Sequence, residues 1–362
     1  MIKVGSDFSG VGAFNQALKR LGIEYYEVFA CDMDKYARQT FIHNYGEPKY
    51  YPTNVYDREI PSESLDIYMT SPPCQAFSLA GKRLGKDDKR GILFFNSHEF
   101  IQKNKPRYFI FENVKGLLSD DGGKTFSEWV NMLGGKSVNG NAVMFPYEDS
   151  VPYHIYWKVL NAKDYGVPQN RERVFIVGIR DDKDNNFTFP AEEHLTKRLK
   201  DVLEDDVNDK YFLSEKMLNY LVTNTEKQKE SGNGFKFLPS DGNTIGKAVT
   251  CKAGSRMDDD FIKIGDYRTD EGFRWREDDN SPCIMASMRD KWNDKFTAQN
   301  PPITKNGYKI RRLTPRECFR LMDFPDSFTW PVSDSQAYKQ AGNSIVVNVL
   351  YKILKKLNLD TR

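Results

Sequence analysis

Six short apolar runs separated by amphipathic stretches constrain this 362-residue chain more than any other feature. Ile2–Asp7, Val28–Asp32, Leu65–Thr70, Tyr108–Glu112, His154–Val159 and Val174–Ile179 each have the length and apolar content of a buried strand. Between the first two, Ala13, Phe14, Ala17, Leu18 and Leu21 recur at helical spacing, and Gly22 follows where a helix C-cap belongs. This alternation predicts an α/β fold, a doubly wound and mostly parallel sheet.

The texture changes near Pro190. Residues 191–305 are polar, rich in Asp, Asn, Gly and Lys, and weakly periodic. They read as a second, smaller, irregular domain. The final segment places Ile345, Val346, Val349, Leu350, Ile353, Leu354 and Leu357 on one face of an amphipathic helix. Such a face returns to the sheet of the first half. The predicted organisation is a discontinuous large domain (1–190 and 334–362), a smaller domain (191–305) and a hinge segment (306–333).

Charge and composition narrow the function. The formal net charge is only +2, so the chain is no general polyanion binder and any nucleic-acid role must come from local placement. Charged residues make up 29% and apolar residues 39%, which fits a soluble globular protein. No apolar run approaches the ~20 residues of a membrane helix, and the N-terminus lacks a secretory pattern. Five widely spaced cysteines read as free thiols, and none stands at metal-site spacing from the four histidines. No structural zinc is expected.

Several motifs sit where an α/β sheet places its ligands. Phe8-Ser-Gly-Val-Gly-Ala-Phe14 joins the first strand to the first helix. Its glycines permit close backbone approach to a ligand, although such turns also serve packing. Asp32 ends the second strand, where an acid binds ribose hydroxyls or caps the next helix. Ser71-Pro-Pro-Cys-Gln75 ends the third, its prolines fixing the backbone before the Cys74 thiol. A buried structural cysteine is the alternative. Glu112 emerges from the next strand as a candidate acid or a cap. Gln169, Arg171 and Arg173 share one face if extended, suited to phosphates, a polar ring or salt bridges at a sheet end.

The order of these motifs resembles the DNA cytosine-C5 methyltransferase family. The resemblance runs through Phe8–Phe14, Asp32, Pro73-Cys-Gln75, Arg90-Gly-Ile-Leu-Phe-Phe95, Glu112-Asn-Val114, Gln169–Arg173, Arg312-Leu-Thr-Pro-Arg-Glu317 and Gln340-Ala-Gly-Asn-Ser344. It spans nearly the whole chain outside 191–305. Departures exist. The acid usual two residues before Phe8 is Ser6, with Asp7 one step later; a usual Gly is Ala13; the acid usual near Asn54 is Asn54 itself; and a usual Thr-Leu pair is Cys283-Ile284. Residues 134–152 read as an insertion.

The resemblance implies methyl transfer from S-adenosyl-L-methionine to C5 of cytosine in double-stranded DNA. It makes Cys74 the nucleophile on C6, Glu112 the group holding N3 and the 4-amino group, and Arg173 the contact to O2. Arg171 is expected nearby, for phosphate or thiol. It gathers Phe8, Gly10, Gly12, Asp32, Met33, Asn54, Pro72, Leu93, Asn343 and Ile345 around the cofactor. DNA contacts fall to Gln75, Arg83, Arg90, Gln169, Arg276 and Arg289, and 75–95 becomes a basic loop that closes on a flipped-out base. Residues 191–305 become the target-recognition domain, although their 19 basic and 22 acidic side chains sum to −3. The expected setting is a monomer in the bacterial or phage cytoplasm, with a cognate restriction endonuclease as a partner. Alternatives are a tRNA cytosine-C5 methyltransferase, an amino-methyltransferase and a non-catalytic DNA-binding relative. The first usually carries a Cys-Phe-Thr signature, and Lys295-Phe-Thr297 lacks that cysteine.

Overall fold

The computed structural model describes residues 1–73, 92–180, 186–232, 237–253, 259–264, 267–268, 272–273 and 309–359. The chain order opens with β1 (Ile2–Asp7), α1 (Ala13–Leu21), β2 (Tyr25–Cys31), α2 (Lys35–Tyr45), β3 (Ile67–Thr70), α3 (Ile92–Asn104), β4 (Tyr108–Val114) and α4 (Lys124–Leu133). β5 (Ser137–Val138), β6 (Asn141–Ala142), β7 (Tyr153–Asn161), β8 (Gln169–Asn170) and β9 (Glu172–Arg180) follow. The remainder holds α5 (Glu215–Glu230), β10 (Gly246–Lys247), β11 (Phe261–Ile264), β12 (Tyr267–Arg268), β13 (Gly272–Phe273), β14 (Lys309–Arg312), α6 (Pro315–Leu321), α7 (Asp334–Asn343) and α8 (Val347–Leu354).

The main sheet has eight strands in the order β2-β1-β3-β4-β9-β7-β5-β6. β1 to β4 are parallel, and β9 runs antiparallel to both β4 and β7. Strand order reverses at β1, because β2 lies on one side and β3 on the other. In such sheets ligands bind beyond the carboxyl ends of the strands at that switch.

Side-chain alternation divides the strands between two cores. Ile2, Val4, Ile67, Met69, Tyr108, Ile110, Phe175 and Val177 face a core shared with α1 and α8. Phe29, Tyr68, Phe109, Phe111, Val174 and Ile176 face one shared with α3 and α4. Near-continuous apolar runs are what a sheet covered on both faces requires. α1 starts at Gly12 and ends at Gly22, whose φ of +70° lets its N–H reach the Lys19 carbonyl.

The expected C-terminal helix is shorter than its apolar face from Ile345 to Leu357. α7 ends at Asn343, Ser344–Val346 form an extended link, and only Val347–Leu354 continue as α8. Arg20 ties the bundle together, pairing with Asp323 and donating to Asn348 Oδ1 at 3.2 Å. Thr40 of α2 donates to Gln340 of α7 at 2.9 Å, and Lys339 pairs with Asp34 at 2.6 Å. The C-terminal helices thus pack beside the second strand–helix unit.

Residues 186–312 add short pairings. β10 runs parallel to β8, and β11 is antiparallel to β14. Leu213, Leu218, Leu221, Phe261 and Ile310 form a small core of their own. Below it lies a buried ion pair. Arg311 meets Glu317 through two bonds of 2.7 and 2.8 Å, and Glu317 is also the N3 member of the capping box that starts α6.

Candidate active site

The carboxyl ends of β1 and β2 build one wall. Phe8 leaves β1 at φ +58° and Gly10 stands at +54°. A left-handed non-glycine residue costs roughly 1–2 kcal/mol, and such strain concentrates at functional sites. The loop is tied down by Asp32. Its Oδ2 accepts the Gly10 N–H at 2.7 Å and its Oδ1 accepts the Asp34 N–H at 2.8 Å. Burial raises the Asp32 carboxyl, against the two backbone bonds. No atom lies within 4 Å of where a Gly10 Cβ would be, and Met33, next to Asp32 in the chain, is 86% exposed. An open glycine turn, an anchored carboxylate and an exposed thioether suit a nucleoside: a ring for Met33 and hydroxyls for Asp32. Asn54 lies on the next segment, where its side-chain oxygen accepts the Tyr56 N–H at 3.1 Å.

The ends of β4 and β9 build the other wall. Glu112 and Arg173 project from neighbouring strands on the same face, and Arg173 Nε lies 3.1 Å from Glu112 Oε1. Glu112 is only 7% exposed. Burial raises its carboxyl, while Arg173 and then Arg171 pull it down. A carboxyl so placed can carry a proton at a pH where an exposed one has lost it. Asn113 links this wall to β3, donating through Nδ2 to the Pro72 carbonyl at 3.1 Å. Pro72 and Pro73 lead directly to Cys74.

Arg171 stands apart from that pair. Its Nη1 donates to the Val249 carbonyl at 2.6 Å, and its Nη2 to those of Gly342 and Ser344 at 3.0 and 2.8 Å. Gln169 bridges the same parts, donating to the Leu321 carbonyl at 2.6 Å and accepting the Val249 N–H at 3.0 Å. Burial, with the charge of Arg173, lowers the Arg171 guanidinium to about 9, so it stays cationic at neutral pH. Here the structure departs from expectation. Gln169 has 0% exposure and no surface to offer DNA, while Arg171 gives both its Nη atoms to main-chain carbonyls. Gln169 and Arg171 share Val249 as a partner, whereas Arg173 turns to Glu112.

Ser344 and Ile345 are buried in the link between α7 and α8, and Asn343 is exposed at its edge. Leu93 is partly buried near the start of α3. Cys74, Gln75, Arg83, Arg90, Arg276 and Arg289 lie outside the described residues, as do most of the basic loop and Cys283-Ile284. Sequence reasoning missed two features. One is Gly342, where a Cβ would fall 2.0 Å from the Thr250 carbonyl carbon. The other is the contact of Asp7 with Arg58 and Tyr68. A glycine inside a helix and an acid ending an apolar strand were the available signals.

Whole-chain comparison adds independent information. Residues 2–359 match the profile of the family described as C-5 cytosine-specific DNA methylase. The type II methyltransferase M.HpaII of Haemophilus parainfluenzae is 35% identical, with 97% of this chain and 88% of that protein covered. The orphan methyltransferase M.SPRI of Bacillus phage SPR is 32% identical, covering 98% of this chain and 97% of that one. Among solved structures, the S. pombe Dnmt2 methyltransferase superposes with a TM-score of 0.67 at 20% identity, covering 98% of this chain and 97% of that one. At that identity the likeness is one of fold.

Proposed function

Because the chain belongs to the C-5 cytosine-specific DNA methylase family, we propose that it methylates C5 of a cytosine within a short sequence of duplex DNA, with Cys74 as nucleophile. The observation that carries this reading is the pairing of buried Glu112 with half-buried Arg173, joined through Asn113 to the turn that leads into Cys74. S-adenosyl-L-methionine, when bound, supplies an electrophilic methyl group on a sulfonium.

C5 of cytosine is a poor nucleophile until a thiolate adds to C6. Cys74 supplies that electron pair. Glu112, with its raised carboxyl, donates to N3 and accepts from the 4-amino group, so charge entering the ring is stabilised. Arg173 holds Glu112 in place and faces O2. C5 would then take the methyl group while the carbon–sulfur bonding pair stays on the donor's sulfur as a thioether; a base removes the C5 proton, and the electron pair left behind expels the Cys74 thiolate. The ring must leave the stack to reach these groups, at a cost of a few kcal/mol. The Phe8–Gly12 loop and Met33 hold the nucleoside end of the donor, and Ser344 and Ile345 close its far side.

The test is methyl transfer from labelled S-adenosylmethionine to unmethylated genomic DNA and, in parallel, to tRNA. The expected product is 5-methylcytosine in one DNA motif. Cys74→Ser is expected to abolish turnover while the donor still binds, and Glu112→Gln to slow transfer by about 10²-fold or more. Label confined to tRNA, or normal turnover by Cys74→Ser, overturns the reading.

A further inference from the structure

Asp7 is an acid in the wrong place for a strand buried on both faces. It ends β1 on the side of Phe29 and Tyr68, and its side chain is completely buried. Two groups from other segments meet it. Arg58 Nε lies 2.9 Å from Oδ1, with 2% of the Arg58 side chain exposed, and the Tyr68 hydroxyl donates to Oδ2 at 2.6 Å. Aromatic rings complete the enclosure. The Arg58 guanidinium sits 4.6 Å from the Phe100 ring centre and 5.6 Å from that of Phe29, and Tyr68 stacks on Phe100 at 4.1 Å. A cation over ring faces is favourable, more so when desolvated.

The position of these three residues in the chain gives the network its meaning. Asp7 immediately precedes Phe8 and the glycine loop. Arg58 follows the turn in which Asn54 Oδ1 holds the Tyr56 N–H and the Asn54 carbonyl holds the Asp57 N–H. Tyr68 lies on β3, four residues before Pro72. One carboxylate therefore fastens the roots of three segments that line the same side of the sheet. Backbone pairing registers β1 against β3, ending with Asp7 beside Thr70. The Asn54 segment has no strand of its own, and Arg58 anchors it to that pair.

We infer that Asp7, Arg58 and Tyr68 form a buried clamp that sets the spacing of the Phe8–Gly12 loop, the Asn54 turn and the Pro72 turn, and so pre-forms the S-adenosylmethionine pocket. These are positioning residues, since none of the three lies in the loops themselves. The inference rests on the cofactor reading above. It goes further in assigning pocket geometry to residues behind the pocket wall. Burying a cation and a carboxylate is costly, and an apolar trio of similar shape is often as stable or more so. The clamp therefore has more to offer in geometry than in stability.

The experiment follows from that contrast. Asp7→Asn strands the Arg58 charge and is expected to destabilise the chain, so it cannot decide the matter alone. The deciding variant is the triple Asp7→Leu, Arg58→Leu, Tyr68→Phe, which removes both charges together. Binding of S-adenosylhomocysteine is measured by calorimetry on the full chain, beside its urea midpoint and amide exchange. The triple variant is expected to unfold as cooperatively as the wild type. If the pocket is formed about a tenth of the time, its Kd rises about tenfold. Amides of residues 9–12 and 55–57 exchange faster. A stable triple variant with wild-type affinity and wild-type exchange overturns the clamp. Failure of the wild type itself to bind overturns the cofactor reading, and the clamp with it.

Discussion

Replacing Arg171 by Met separates two roles for the residue. If Arg171 serves a phosphate or a thiol, the free protein has little use for it. If it joins Val249 to Gly342 and Ser344, the free protein depends on it. Three charge-assisted bonds of 2.6, 3.0 and 2.8 Å end on the guanidinium. Each contributes about 1.5–3 kcal/mol when the donor is charged, a gross figure of about 4.5–9 kcal/mol. Returning a buried cation to water in the unfolded state offsets several kcal/mol of that. What remains is mostly three carbonyls left without a donor, at about 1–3 kcal/mol each. A loss of about 3–5 kcal/mol is expected for Arg171→Met, and about half for Arg171→Lys, which reaches one carbonyl at a time. Urea unfolding without DNA or cofactor, followed by tryptophan fluorescence, measures it. A loss under about 1 kcal/mol, with a changed salt dependence of DNA binding, would return Arg171 to the phosphate role.

Three further expectations follow. Gly342→Ala forces a Cβ to within 2.0–2.2 Å of the Thr250–Cys251 backbone, so a thermal melt should show a loss of about 1–3 kcal/mol or more, and unchanged stability refutes that close approach. Glu317→Gln leaves Arg311 uncompensated at 1% side-chain exposure, and chemical unfolding should report about 3–5 kcal/mol lost; a variant as stable as wild type removes the pair from the account. Burial pushes the Glu27 carboxyl up to about 7, while a 2.9 Å bond from Asn15 opposes the shift. A raised acid favours the folded state when protonated. That contribution is complete below its unfolded value of about 4.3 and is lost as pH rises through about 7. Glu27→Gln should therefore flatten the fall in midpoint across that window, and parallel pH curves for both proteins would show that Glu27 is already ionised in the fold.

How much of this was legible in the sequence depends on the range of the forces involved. β1, β4 and α1 were readable almost to the residue, because buried strands and an amphipathic helix announce themselves by local spacing. The antiparallel direction of β9 was not, since an apolar run such as Val174–Ile179 has the same composition either way. The last helix was overextended. The apolar face runs from Ile345 to Leu357, but only Val347–Leu354 are helical; Ile345 and Val346 lie in an extended link next to Ser344, whose carbonyl accepts from Arg171, 173 residues earlier. Residues 191–305 offered least: among the described ones the pairings are two to four residues long, and the small core borrows Ile310 from beyond the segment.

The chemistry divides along the same line. Residue types marked Cys74, Glu112 and the Gln169–Arg173 stretch as candidates, and the family resemblance gave them their expected roles. Residue type and spacing alone did not separate the three candidates in that stretch. Gln169, Arg171 and Arg173 alternate along an extended stretch and look equivalent, yet only Arg173 meets Glu112. The other two meet Val249, one through its N–H and one through its carbonyl. Val249 lies two residues beyond β10, the strand that pairs with β8. A displacement of 246–250 would pull on Gln169 and Arg171 together, and two residues further along the same chain sits Arg173 against Glu112. The strand that carries Arg173 is thereby fastened to the polar half of the chain. The Val249 contacts and the Glu112–Arg173 pair share one short stretch of backbone.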